Sequence, residues 1–251
     1  MEGSPVNSVL MRKTEFGDFD YILTYFTKEM GNISLVAKNA KKSMKRFSGK
    51  LELYTNSIIH FVHPKKGGLP LITEVLLEKP YENIRKDILR TSYAAYWAEL
   101  ITFWIPAENP QVKIYELLIN LLGIMNKSDI SPGVANLYFQ IHFLKLAGFD
   151  PMLKTCSYCG RKVLLSDKKF KYSLDKGGLI CGKCIVAGDG LLSAANLKQI
   201  LWIRENCFDI AFKLKFSRES VEECSLFLNR FISYNTERDF RSQKIIRYLQ
   251  L

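Results

Sequence analysis

Tyr21-Ile22-Leu23-Thr24-Tyr25-Phe26-Thr27, then Met30-Gly31-Asn32, then Ile33-Ser34-Leu35-Val36-Ala37-Lys38: two runs rich in β-branched and aromatic residues around a short turn segment predict an antiparallel hairpin. Working outward, Val9-Leu10-Met11-Arg12-Lys13 supplies a strand before it. After it come a basic loop, a long run from Leu51 to Val62, the turn Lys65-Lys66-Gly67-Gly68 and a last run from Leu71 to Leu77. Five antiparallel strands between residues 7 and 77 predict a small closed barrel. Both an oligonucleotide-binding (OB) barrel and an SH3-like barrel satisfy that count.

After Pro80 the period changes. Ile84, Ile88, Leu89, Tyr93, Tyr96, Trp97, Leu100, Ile101 and Trp104 recur at helical spacing, predicting one helix that Pro106 stops. A second opens at Asn109-Pro110 and ends near Gly123. A third, opened by Ser131-Pro132, carries Val134, Leu137, Tyr138, Ile141, Leu144 and Leu146 up to Gly148. Farther on, Ser193 caps a helix to about Asn206, and Ser217 or Ser220 caps another to about Tyr234. The tail, with Arg238, Arg241, Lys244 and Arg247 among Phe240, Ile245, Ile246 and Leu249, predicts a short basic amphipathic helix lying on its own domain. His142, Cys207 and Cys224 read as core residues.

Between these helical stretches stand Cys156-Ser157-Tyr158-Cys159 and Cys181-Gly182-Lys183-Cys184, two C-x-x-C pairs 21 residues apart. Two thiolates three positions apart on a tight turn converge on one ion, and Gly160 and Gly182 let the backbone fold around it. Two such turns complete a tetrahedral shell of four sulfurs, the preference of Zn2+, with iron as the competing ion. A closed shell makes the metal structural. Two disulfides fit poorly with a cytosolic chain. A thioredoxin-like site needs one C-x-x-C opening a helix, whereas these pairs bracket strand-like pieces, Lys162 to Leu165 and Lys169 to Ser173.

The chain has 36 Lys and Arg against 25 Asp and Glu, a net charge of +11 that attracts polyanions. Its 47% hydrophobic and 24% charged content excludes disordered and collagen-like classes, and no stretch suits a membrane span. The N-terminus lacks a secretory signal, so the expected location is the cytosol. The charge is concentrated: Lys38, Lys41, Lys42, Lys45, Arg46 and Lys50 fall within thirteen residues without an acid. Lying between two strand-like segments, this run reads as a phosphate-binding loop rather than a merely solvated one. Arg12 and Lys13 join it as candidate phosphate contacts, and, were the polyanion a nucleic acid, Tyr21, Tyr25 and Tyr54 would be candidate base-stacking platforms. A second cluster, Arg161, Lys162, Lys168, Lys169 and Lys171, is a candidate secondary polyanion contact or a solvated loop.

Catalytic signatures are missing. There is no phosphate loop, dinucleotide fingerprint or nucleophile elbow, and only three histidines occur. Glu15, Asp18 and Asp20 form the nearest acidic cluster, which the adjoining Gly17 explains as turn chemistry rather than a metal-dependent nuclease. The chain is expected not to be an enzyme.

In order and spacing these residues resemble the RecO family of bacterial DNA-repair recombination mediators. Arg12, Phe16-Gly17-Asp18, Asp20, Ile22-Leu23, Phe26-Thr27 and Gly31 look like that family's first hairpin. Lys38, Ala40-Lys41-Lys42, Gly49, Leu51 and Tyr54-Thr55 are similar to its lysine-rich loop and following strand. Gly148-Phe149, Pro151, Leu153, Cys156, Cys159-Gly160, Phe170, Gly177-Gly178, Cys181 and Cys184 resemble its zinc-bearing segment, and Arg241-Ser242 its tail. Asn39 and Leu53 depart from the glycine and proline usual there.

The resemblance implies an α+β multidomain protein. Its expected parts are an OB barrel over 1–79, a helical domain formed by 80–152 and 191–251, and an inserted four-cysteine zinc ribbon over 153–190. It implies binding of single- and double-stranded DNA, annealing of complementary strands and, with RecR, help for RecA in displacing single-strand-binding protein (SSB). A contact with the acidic, phenylalanine-ending SSB tail, a functional link to RecF and a nucleoid-associated cytoplasmic location complete the implied role. A different class of function also suits the charge: a protein-interaction scaffold whose basic face receives acidic tails, with incidental DNA contact.

Overall fold

In the computed structural model, which describes residues 5–43, 46–127, 129–164, 168–184 and 186–249, the N-terminal strands close on themselves. They are β1 (Val6–Phe16), β2 (Asp20–Thr27), β3 (Gly31–Ala37), β4 (Asn56–Val62) and β5 (Leu71–Lys79). Their order is β1-β2-β3-β5-β4, and β4 returns to β1. All neighbours are antiparallel except β3 and β5, joined in parallel at Val36 and Leu71. The crossover from β3 past β5 to β4 distinguishes this Greek-key barrel, the OB arrangement, from a simple meander.

Inward positions follow the two-residue period. Leu23, Tyr25, Leu35, Ile59 and Val75 are fully buried in the barrel core. Tyr21 has the same parity as Leu23 and Tyr25 but sits at the barrel end and is half-buried. The expected long strand from Leu51 to Val62 is shorter. It begins at Asn56, because Leu51 turns inward to plug the barrel beside Phe47 and the backbone reverses at Tyr54, whose φ is 64°.

The remaining elements are α1 (Glu82–Arg85), α2 (Ile88–Trp104), α3 (Val112–Met125), α4 (Pro132–Leu146), β6 (Lys169–Ser173), β7 (Gly178–Ile180), β8 (Gly190–Ser193), α5 (Ala194–Glu205), α6 (Phe208–Ala211), α7 (Arg218–Thr236) and α8 (Arg241–Leu249). The single helix expected from Ile84 to Trp104 is interrupted. Asp87 accepts hydrogen bonds from the amides of Leu89 and Arg90 and so starts a new helix at Ile88. Of the Lys162–Leu165 piece, Lys162 forms only an isolated bridge with Thr155, and Leu165 lies outside the described residues.

Contacts divide the chain into two compact units, one holding the barrel, α1–α3 and α8, the other α4–α7 and β6–β8. This partition differs from the four segments expected from the sequence, since the helices after Pro80 are shared between the units. In the first unit α3 seats on the outer face of the hairpin. Phe26 meets Tyr115 at 6.0 Å between ring centres, and Lys28 pairs with Glu116 at 3.4 Å. Asn32 donates to the Ile105 carbonyl at 2.9 Å and its own carbonyl accepts from the Glu108 amide at 3.1 Å. Gly31 makes that approach: its φ is 71°, and a Cβ there would stand 2.3 Å from the Asn109 carbonyl oxygen. The Arg90 guanidinium, on α2, donates to the Met125 and Lys127 carbonyls at the end of α3.

In the second unit the three-stranded sheet, ordered β7-β6-β8, rests on α5 and α7. Tyr172 packs edge-on against Phe227 at 4.9 Å, and Arg230 donates to the Asp189 carbonyl at 2.8 Å. His142 stacks on Tyr138 at 4.1 Å and lies 3.0 Å from the Ile203 carbonyl, with burial holding its pKa below the usual value. This is a core histidine, as expected. Cys224 is buried, but Cys207 is exposed at the start of α6, because the chain turns there instead of continuing a helical face into the core.

Candidate nucleic-acid interface and metal centre

One end of the barrel gathers three loops. The β1–β2 turn and the basic segment after β3 are tied directly: the Lys41 amide donates to the Phe19 carbonyl at 3.0 Å, and the Asn39 amide donates to Asp20 Oδ1 at 2.7 Å. The β4–β5 loop joins them through the Val36 amide, which donates to the Pro70 carbonyl at 2.8 Å. Asn39 has φ 54°, a left-handed conformation that asparagine tolerates better than other side chains carrying a Cβ. Two of the acidic trio have structural work here. Asp20 holds the basic segment, and Glu15 pairs with Lys41 at 3.1 Å.

Phe47 and Leu51 anchor the basic segment in the barrel core. Its cations therefore stand on a fixed platform. Lys38 and Lys42 are exposed, and Lys42 Nζ lies 3.3 Å from the centre of the Phe19 ring. Arg46 donates to the Lys38 carbonyl at 3.0 Å and stacks over Phe47 at 4.9 Å. Lys13 Nζ donates to the Leu51 carbonyl at 3.1 Å and sits 4.9 Å from the Tyr21 ring centre, with Lys41 Nζ 5.5 Å from the same ring. Arg12 is exposed on β1 opposite Thr24. Lys45 lies outside the described residues.

The tyrosines divide. Tyr25 is wholly buried, and Tyr54 is 5% exposed, with burial first and the Glu99 charge second pushing its phenol up to about 12. Neither ring is open to a base, which corrects two of the three stacking candidates: inward parity buries Tyr25, and the turn folds Tyr54 inward. Tyr21 remains, flanked by two ammonium groups. Sequence reasoning missed four residues at this end. Phe16 is 51% and Phe19 38% exposed at the hairpin tip, and Lys65 and Lys66 are exposed in the β4–β5 loop. Two phenylalanines flanking Gly17-Asp18 at a turn, where no core can receive them, were the available signal.

The cysteines converge. Sγ atoms of Cys156, Cys159, Cys181 and Cys184 all lie within 4.8 Å of one another, and adjacent pairs stand at 3.6 to 3.9 Å. Four sulfurs around one tetrahedral ion at a bond length of about 2.3 Å would be separated by about 3.8 Å. All four are free thiols, not disulfides. Gly160, at φ 71°, turns the first loop so that its amide reaches the Cys156 carbonyl at 2.9 Å, and the Cys181 amide points at Cys156 Sγ from 3.3 Å. Burial raises the Cys156 pKa, but amides of Cys181, Cys159 and Tyr158 outweigh it and bring the thiol down to about 6. Cys184 shares its proton with Cys159 and, aided by burial, is pushed up to about 12. Around the cluster Arg161, Lys162, Lys168 and Lys169 are exposed, while Lys171 Nζ donates to the Val186 carbonyl at 3.3 Å.

Two family models then cover most of the sequence: "Recombination protein O N terminal" matches residues 5–81 and "Recombination protein O C terminal" matches residues 85–244. The chain belongs to the RecO family. A DNA repair protein RecO from Desulfatibacillum aliphaticivorans is 37% identical over 97% of this chain and 96% of its own length. Those from Desulfosudis oleivorans and Dehalococcoides mccartyi are 28% and 29% identical over 100% and 92% of this chain, and over 99% and 90% of theirs. The RecO assignment thus spans barrel, helices and cysteine cluster alike. Among the described residues no helix is long and apolar enough to cross a membrane.

Proposed function

We propose that this RecO-family chain binds single- and double-stranded DNA through the cationic barrel end, anneals complementary strands and, with RecR, assists RecA loading onto SSB-coated DNA without acting as an enzyme. The observation that carries this reading is the fixed group of Lys38, Lys41, Lys42, Arg46, Lys65 and Lys66 beside the exposed rings of Phe16 and Phe19. Phosphate contacts supply affinity without sequence preference, and each stacked base adds about 1–3 kcal/mol. Two strands repel along their phosphates, so cations facing the backbone while base edges stay free favour pairing. The four thiols hold one structural Zn2+, which fixes the ribbon whose cations Arg161, Lys162, Lys168, Lys169 and Lys171 form a secondary DNA contact. The protein works in the cytoplasm at the nucleoid, alongside RecF.

The test is annealing of two complementary labelled oligonucleotides, bare and SSB-coated, across a salt series. Salt-sensitive acceleration on both substrates is expected. No acceleration by folded protein overturns the reading.

A second reading, a scaffold for acidic tails, has its own observation. In the second unit a groove of about 370 Å³ is lined by Leu153, Val163, Leu201 and Trp202, with Lys162 and Lys198 at its edge beside Lys154, which pairs with Glu205 at 2.5 Å. An apolar floor beside lysines suits an acidic peptide ending in an aromatic residue, the chemistry of the SSB tail. Trp202→Ala is expected to weaken binding of a labelled peptide of that kind about tenfold, as loss of a buried aromatic anchor does. Unchanged peptide anisotropy in that variant would remove the groove from the scheme.

A further inference from the structure

The C-terminal helix has two unlike faces. Ser242, Gln243 and Ile246 are buried, and the amide and hydroxyl of Ser242 both donate to the Glu99 carboxylate of α2, at 3.2 and 2.8 Å. Phe240, just ahead of α8, is buried edge-on to Tyr96 and Phe103 at 5.8 and 5.9 Å. This face docks the helix.

The opposite face carries Arg241, Lys244 and Arg247 with Ile245 and Tyr248, all exposed, the last two at 51% and 76%. No acidic residue occurs from Phe240 to Leu251. Arg241, Lys244 and Arg247 form no ion pair among the described residues. Like charges one helical turn apart oppose the helix. The helix dipole offsets this for a cation in the last turn, but Arg241 stands in the first, where the dipole disfavours it. Helix stability therefore does not account for the arrangement, whereas a polyanion would be attracted by it.

We propose that the outer face of α8 is a second single-strand-binding site, in which Arg241, Lys244 and Arg247 contact phosphates and Tyr248 stacks on a base. An aromatic ring set among cations is the single-strand recognition pattern. Lipid is a poorer occupant, because Ile245 and Tyr248 alone offer a bilayer little apolar area on a helix of nine residues. The proposal rests on the barrel-end reading above. Barrel and α8 belong to one compact unit, so a single copy holds one strand at each site. Annealing requires two strands held together.

The test uses the full-length protein and two non-complementary oligonucleotides, one with a donor dye and one with an acceptor, so that energy transfer reports bridging without base pairing. The unaltered protein is expected to bridge, with a signal rising linearly with protein. In the triple variant Arg241→Ala, Lys244→Ala, Arg247→Ala, affinity for one strand is expected to stay within about twofold while bridging falls about tenfold, as phosphate contacts at one site alone are lost. Tyr248→Ala, which removes a ring with little packing, is expected to reduce bridging in the same direction should the triple variant lose helix by circular dichroism. Wild-type bridging in both variants, or a signal rising with the square of protein concentration, overturns the proposal and leaves the barrel reading intact. Failure of the unaltered protein to bind either oligonucleotide overturns the barrel reading, and the proposal with it.

Discussion

Changing Lys38, Lys42, Lys65 and Lys66 to alanine together, in a chain that also carries Arg241→Ala, Lys244→Ala and Arg247→Ala, is expected to leave the barrel folded and remove most of the salt dependence of single-strand binding at the barrel end. These four are the cleanest targets at the barrel end. They are exposed, and none has an ion pair among the described residues, whereas Lys41 pairs with Glu15 and Arg46 braces the Lys38 carbonyl and Phe47. If about five phosphates are neutralised on one strand, log K falls with log salt at a slope near −3.5, and affinity drops roughly hundredfold between 50 and 200 mM. Removing four contacts leaves a slope near −0.7 and a drop of about threefold over the same range. Stacking on Phe16, Phe19 and Tyr21 carries no counterion release and persists, so residual binding is expected to be weak and only slightly salt-dependent. Fluorescence titration at four salt concentrations measures both quantities. A variant with native circular dichroism and the unaltered slope would exclude this end of the barrel as the strand site.

How far such a site is legible without coordinates depends on which physical signal each residue carries. The barrel strands are legible because β-branched and aromatic residues cluster in runs between turn residues, but with β3 buried on both faces the runs do not show which side faces inward, so Tyr25 is not separated from an outward ring. Leu51 and Leu53 defeat the rule: apolar residues that plug a barrel end look like strand residues, and only the left-handed Tyr54 separates the two. The cysteine cluster is legible because thiolate spacing encodes a ligand geometry directly. The break at Asp87 lacks any proline or glycine, and its signal is one carboxylate capping two amides. Helix partnership is harder. An amphipathic period says that a helix buries one face but not against what, so α4, α5 and α7 look like companions of α2 and α3 although they pack in the other unit. The docking of α8 is more obscure, because its inner face is mainly Ser242 and Gln243 and its anchor is Glu99, 143 residues away.

Stripping metal from the cysteine cluster is expected to have the largest effect of any single treatment. Purified under reducing conditions, the protein is expected to carry one zinc ion per chain by mass measurement, and a strong chelator is expected to open the segment around β6 and β7 to proteolysis. Three short strands bury only a small apolar core, so the metal is expected to carry much of the segment's stability. Phe170, Tyr172, Leu179, Ile180 and Leu192 are its main apolar contribution, and each fully buried side chain of that size contributes about 1.5–3 kcal/mol before chain entropy is subtracted. Structural zinc supplies on the order of 10–16 kcal/mol in comparable four-ligand shells. Cys181→Ser is expected to mimic the chelator, since loss of one thiolate opens the shell. Helices α4, α5 and α7 should survive, because they pack on one another and bury Leu144, Ile200 and Phe231. Acid should act like the chelator. Zinc binding displaces the cluster's protons, so affinity rises with pH and is lost as falling pH returns protons to the thiolates, Cys156 last because amide donors already favour its ionised form. An unchanged proteolytic pattern after complete metal removal would mean that β6–β8 are held by α5 and α7 alone, and the cysteines would then lose their structural role.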